Sequence, residues 1–249
     1  MTFRSCLVAC VLVLLFGGAV SAGDPDPYGR IPRLFGVFTP VPGVWAEYEV
    51  TEKDSGRRTR MRMAVVGKEG DAYWYEVVNH APEGRNVVKM LVRGNPNDPD
   101  NIERLILKSG DNPAAEMPRD FVAMGRKMAV HMFERRSGVA GSDPDQLRVE
   151  KVGEGPVTVP AGTFQATLQR IVDAQGQVLA TYHFLPDILP FGVVASETRH
   201  TTMALLAYGR DARSEITETP VPMAAPPGMP QGMPRGLPPG MKLPGGQAD

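Results

Sequence analysis

The chain has 249 residues, a formal net charge of −1 and two cysteines. Basic and acidic side chains are interspersed along it, so it carries no electrostatic footprint for nucleic acid or for an anionic membrane surface. Both cysteines, Cys6 and Cys10, fall in the first ten residues. If that segment is removed, the remainder has no thiol for a disulfide, a thiolate metal site or a Cys nucleophile.

Arg4 precedes an apolar run from Cys6 to Phe16, and Gly17 to Ala22 are small residues. This pattern predicts a signal peptide over residues 1–22, cleaved after Ala22, and therefore export to a periplasm. The run is shorter than the roughly 18 to 20 residues that a membrane-crossing helix needs. Leu7-Val8-Ala9-Cys10 also matches a lipoprotein signal. Lipidation at Cys10 is disfavoured because cleavage there leaves too short an apolar core and strands Val11 to Phe16 on the product.

Residues 23–219 are expected to form one β-rich domain of about 195 residues, large enough to bury close to 70% of its unfolded surface. Alternating segments separated by turn signals predict antiparallel strands. The first is Val44 to Thr51, with Trp45 and Tyr48 on opposite faces. The second is Arg60 to Val65, in which Met61, Met63 and Val65 share one face and the arginines the other. The arginine side is expected to face water. Ala72 to Val78 follows the glycine-containing turn Gly67 to Asp71, and Val87 to Val92 and Ile102 to Lys108 continue the series.

A helix is predicted from Pro118 to about Arg136, with Phe121, Met124, Met128 and Met132 on one stripe packed against the sheet. Strands resume at Leu147 to Val152, Gly162 to Val172, Val178 to Leu185, Val193 to Arg199, Thr202 to Gly209 and Arg213 to Thr217. Asp173-Ala174-Gln175-Gly176 reads as a hairpin turn. The expected fold class is α+β, mainly antiparallel β: a curved sheet or incomplete barrel of about ten strands with one covering helix. Beyond Pro220, Pro and Gly make up half of the residues, with glycines at 228, 232, 236 and 240. Residues 220–249 are therefore expected to be a disordered Pro/Gly/Met-rich tail, whose four-residue spacing rules out a collagen helix.

Val157-Thr158-Val159-Pro160-Ala161-Gly162-Thr163-Phe164, followed by Leu189-Pro190-Phe191-Gly192-Val193-Val194, resembles a segment of uncharacterised exported bacterial β-proteins similar to the lipoprotein-carrier (LolA/LolB-like) superfamily. The resemblance covers residues 147–217, under a third of the chain. It implies an incomplete antiparallel barrel closed by helices, with an apolar cavity able to take acyl chains. Read from the residues alone, Pro160 interrupts pairing, Ala161-Gly162 allows a tight bend, and Phe164 opens a strand.

Diagnostic chemistry is sparse. His80, His131, His183 and His200 show no paired-ligand spacing, and no Gly-x-Ser-x-Gly elbow frames Ser55, Ser109, Ser137, Ser142, Ser196 or Ser214. Glu47 and Glu49 share a strand face with Glu76 nearby, a pattern that reads as a solvated face. Met223, Met229, Met233 and Met241 lack the supporting His or Cys of a Cu(I) site. Neither metal nor cofactor is expected, and no enzymatic activity. The feature that favours a function is the interior: Met61, Met63, Met90, Phe121, Met124, Met128, Met132 and Phe164 are expected to line a pocket for a lipid or other apolar molecule. The alternative is an envelope protein-interaction module with the tail as tether or docking peptide.

Overall fold

A computed structural model describes residues 37–82, 84–96, 99–118, 122 and 146–223. The predicted leader, the helix after Pro118 and nearly all of the tail lie outside the described residues. Val122 is an exception: its amide donates to the Pro118 carbonyl at 3.2 Å, and its side chain is buried.

The described chain forms one open sheet of twelve strands. They are β1 (Trp45–Glu52), β2 (Arg58–Glu69), β3 (Ala72–Ala81), β4 (Gly84–Val92), β5 (Ile102–Ser109), β6 (Ala115–Glu116), β7 (Arg148–Val159), β8 (Gly162–Val172), β9 (Val178–Phe184), β10 (Val193–Thr198), β11 (Thr201–Gly209) and β12 (Val221–Pro222). Their order, β12-β6-β5-β4-β3-β2-β1-β11-β10-β9-β8-β7, describes two meanders joined where β1 pairs antiparallel with β11. All pairs are antiparallel except β12 on β6. The expectation of about ten strands is corrected to twelve, and the expected covering helix lies outside the described residues.

Local chemistry explains the hairpins. Gly70 takes φ +60 in the two-residue turn between β2 and β3, a conformation that glycine adopts without a Cβ clash. Asp173 Oδ1 accepts from the amides of Gln175 and Gln177, and Gly176 takes φ +78, closing the turn between β8 and β9 as its sequence predicts.

Two segments depart from the pattern read in the sequence. β7 continues past Val152 to Val159 through Pro156, because it is the edge of the sheet and proline's missing N–H faces no partner there. Arg213 to Thr217, expected as a strand, joins no ladder. Residues 210–220 instead cross the outer face of β2 to β5 as a strap. The Ser214 oxygen accepts from the Ile216 amide and lies 3.0 Å from the Ile216 carbonyl, local contacts that compete with strand pairing. The strap begins where the Ala212 amide donates to the Gly43 carbonyl and ends in β12. Pairing therefore extends past the expected tail boundary at Pro220.

The sheet has a different core on each face. On the inner face, Ala46, Tyr48, Met61, Val65, Tyr75, Val77, Val88, Met90 and Leu105 join Ala166, Val194 and Leu205 of the second meander in one apolar cluster. On the outer face a smaller cluster forms under the strap, where Ile216 packs on Val78, Val87, Ile106 and Ala114. The second meander bends back across the inner face: the Ala161 amide, at the β7–β8 turn, donates to the Leu205 carbonyl of β11 at 3.1 Å.

Candidate functional site

The inner face is built in rows, because residues opposite one another in register share a side. Val65, Tyr75, Met90 and Leu105 form one row across β2 to β5, and Met63, Val77, Val88 and Leu107 the next. Of the residues expected to line a pocket, Met61 and Met90 are buried here, and Met63 and Phe164 are partly buried against the same cluster. Phe164 sits in the other meander, its ring 6.0 Å from that of Tyr208. Phe121, Met124, Met128 and Met132 lie outside the described residues.

Several contributors carried no readable sequence signal. Phe38, Tyr75 and Phe191 pack as three rings with centroids 5.3 to 5.8 Å apart. Phe38 and Phe191 come from loops without periodicity, and the Thr39 amide ties the two segments by donating to the Pro190 carbonyl. Ile188 is buried beside them. Tyr48 donates from its hydroxyl to the Val193 carbonyl at 3.0 Å, fastening β1 to the start of β10. Burial pushes the hydroxyls of Tyr48, Tyr75 and Tyr182 well above the ordinary tyrosine range, so all three stay neutral donors. Met117, Met203 and Met223 join Met63 as partly buried methionines packed against the cluster.

The outer face holds the polar chemistry. Glu76 is only 1% exposed, which corrects the reading of it as part of a solvated carboxylate face. Its Oε2 accepts from the Ser214 hydroxyl at 2.7 Å and its Oε1 from the Glu215 amide at 2.9 Å. Lys89 donates to the Ser214 oxygen at 2.9 Å. Burial pushes the Glu76 carboxyl up, partly offset by the Ser214 hydroxyl and by the charges of Lys89 and Arg62. Glu215 pairs with Arg62 and Arg85, and Glu218 with Lys108. Arg62, expected to face water, lies over the Trp45 ring with its guanidinium carbon 4.7 Å from the centroid. Lys89 and Arg104 flank Trp74 at 5.1 Å each.

This arrangement does not make Ser214 a nucleophile. Its proton is directed at Glu76 or Ile216, its oxygen is occupied by Lys89 and the Ile216 amide, and no histidine is among these partners. His200 lies 3.3 Å from Asp54 at an exposed turn, and His80 is exposed. Among the described residues no three His, Cys, Asp or Glu side chains are grouped to hold a metal. Among the same residues no helix is long and apolar enough to cross a membrane.

No family model matches the chain, and no curated protein does. Solved structures with partial likeness include MucB, at TM-score 0.41 and 13% identity over 77% of this chain and 61% of that one. The present chain thus spans less than two thirds of MucB. A protein of Bacteroides fragilis assigned as exported, with a YmcC-like fold, scores 0.31 at 12% identity over 70% of this chain and 99% of that one. A protein of Parabacteroides distasonis assigned as a lipoprotein scores 0.32 at 12% identity, again over 70% and 99%. At these scores the likeness is too distant to transfer a function.

Proposed function

We propose that the protein is an exported, non-enzymatic carrier that holds an apolar molecule, a lipid or acyl chain, against the inner face of its sheet. The observation that carries this reading is the distribution of methionine. Met61 and Met90 line the buried face, while Met63, Met117, Met203 and Met223 stand partly exposed around it. Thioether side chains are unbranched and polarizable, so a methionine rim can re-pack around chains of different shape where Leu or Ile would hold one shape. The neutral tyrosines among these side chains add no charge to the face.

Native mass spectrometry of the protein taken from its exported compartment tests the proposal. The expected result is a population heavier than the bare chain by the mass of one or more lipids, with a rise in melting temperature when lipid is added back. Ligand-free mass together with no thermal shift overturns it.

A second reading has its own support. Phe38, Ile188 and Phe191 are buried in the inner-face cluster, the two rings packed on Tyr75 of β3, and β12 fixes the start of the Pro/Gly/Met segment on the β6 edge. In this reading the domain is a filled scaffold that presents the segment to an envelope partner. Pull-down with and without residues 224–249 separates the two readings: loss of a captured protein on truncation favours the scaffold.

A further inference from the structure

Across β3 to β5 the inner face turns polar at the end that carries the β3–β4 turn. Asn79 stands directly across from Met61 on one side and Asn86 on the other, and Asn86 stands across from Ser109. The next row along the strands, Met63, Val77, Val88 and Leu107, has no hydrogen-bonding side chain. Polarity thus changes within one two-residue step, a distance of about 7 Å along a strand.

Asn79 is 8% exposed, and its Nδ2 finds no hydrogen-bond partner among the described residues. The contrast with Glu76, the other buried polar side chain among the described residues, is sharp, since Glu76 accepts from two donors. An amide kept dry and unpaired is unfavourable, and a leucine of similar volume fits the same surroundings without that penalty. The orphaned donor lies in the Met61 row of the face, with Met63 in the adjoining row.

We infer that Asn79 is the polar anchor of the inner-face site, donating from Nδ2 to an acceptor oxygen at the head of an acyl-chain amphiphile whose chain lies over Met61, Met63 and Met90. The inference rests on the reading of this face as a ligand site, and adds the ligand's head-group chemistry and its direction. The head is a carboxylate or an ester carbonyl, placed at the Asn79-Asn86-Ser109 end. The chain points toward the Tyr75 and Met90 row.

Displacement of N-phenyl-1-naphthylamine, an apolar probe with no carbonyl, by decanoate, methyl decanoate and 1-decene tests this on the chain lacking residues 1–22. On the wild type, one or both acceptor-bearing compounds should bind about tenfold more tightly than 1-decene, the scale of one well-made hydrogen bond. A preference shared by ester and carboxylate assigns a carbonyl head, and one confined to decanoate assigns an ionised head. Asn79→Leu should bring all three within about twofold of one another. Equal binding of the three compounds by the wild type overturns the anchor, as does a preference that survives Asn79→Leu. The wild-type ranking stands as a test even if the variant fails to fold. Failure of the wild type to bind the probe or any of the three compounds removes the underlying ligand-site reading instead.

Discussion

The two faces of β2 to β5 are held by different physics. The inner face depends on burial, which is non-directional and roughly proportional to area, so its loss under substitution is graded by volume. The outer face depends on a strap whose Ser214, Glu215 and Glu218 must meet Glu76, Arg62, Arg85 and Lys108 in defined geometry. Its loss is stepwise, because removing one partner leaves another buried and unpaired. A face of the first kind can accommodate a guest, whereas a face of the second kind fixes the backbone that supports it.

The comparison can be broken at the seam between the meanders. Leu205 is fully buried where β11 meets Tyr48 of β1. Leu205→Ala is expected to lower stability by about 3 kcal/mol through lost burial and a residual cavity. Urea unfolding followed by fluorescence should show the midpoint fall with an unchanged slope. A changed slope means that the two meanders unfold separately and that the inner face is not one core.

A smaller effect, confined to the other face, is expected from Ser214→Ala. It removes one donor from Glu76 and the acceptor for Lys89, for about 2 kcal/mol locally. Hydrogen exchange should quicken at the Glu215 and Ile216 amides while those of β1 and β11 keep their protection. Equal loss on both faces contradicts their independence.

The smallest effect is electrostatic. Lys108 holds the half-buried Glu218 carboxyl down at about 2, against an ordinary 4.5. A depressed carboxyl stabilises the fold above its unfolded value and loses that contribution as the pH falls through the folded one. Glu218→Gln should therefore lower the melting temperature slightly at neutral pH, with the gap closing between pH 4.5 and about 2. Glu76 pulls the other way. Its raised carboxyl favours the protonated form on folding, so its contribution is greatest in acid and declines as the pH rises through the folded value. A gap that persists below pH 2 removes Lys108 as the partner that matters.

Much of the sheet was legible because its signals are local. Alternation in Arg60 to Val65, the glycine before Asp71 and the Asp173 turn each act within a few residues, and the hairpins formed where they pointed. What was not legible is long-range. Glu76 reads as an ordinary strand glutamate, and the residue that buries it, Ser214, lies 138 positions away. Phe38 and Phe191 sit in loops, where no period marks which side chains turn inward. Arg213 to Thr217 has the composition of a strand, yet its serine takes the local backbone bonds that pairing would use. Within the site, Met61, Met63 and Met90 followed from strand alternation, while Asn79 shares their face through the same rule but lies one residue beyond the strand expected to end at Val78.

The join of β1 to β11 sets residue 45 opposite residue 209, whereas the ladders on either side link segments that follow closely along the chain. Closing the short ladders of each meander costs less chain entropy than closing the seam, so the seam is expected to be the costlier pairing to form. Any molecule that binds across both halves of their shared inner side would add to the contacts that hold this costly join closed.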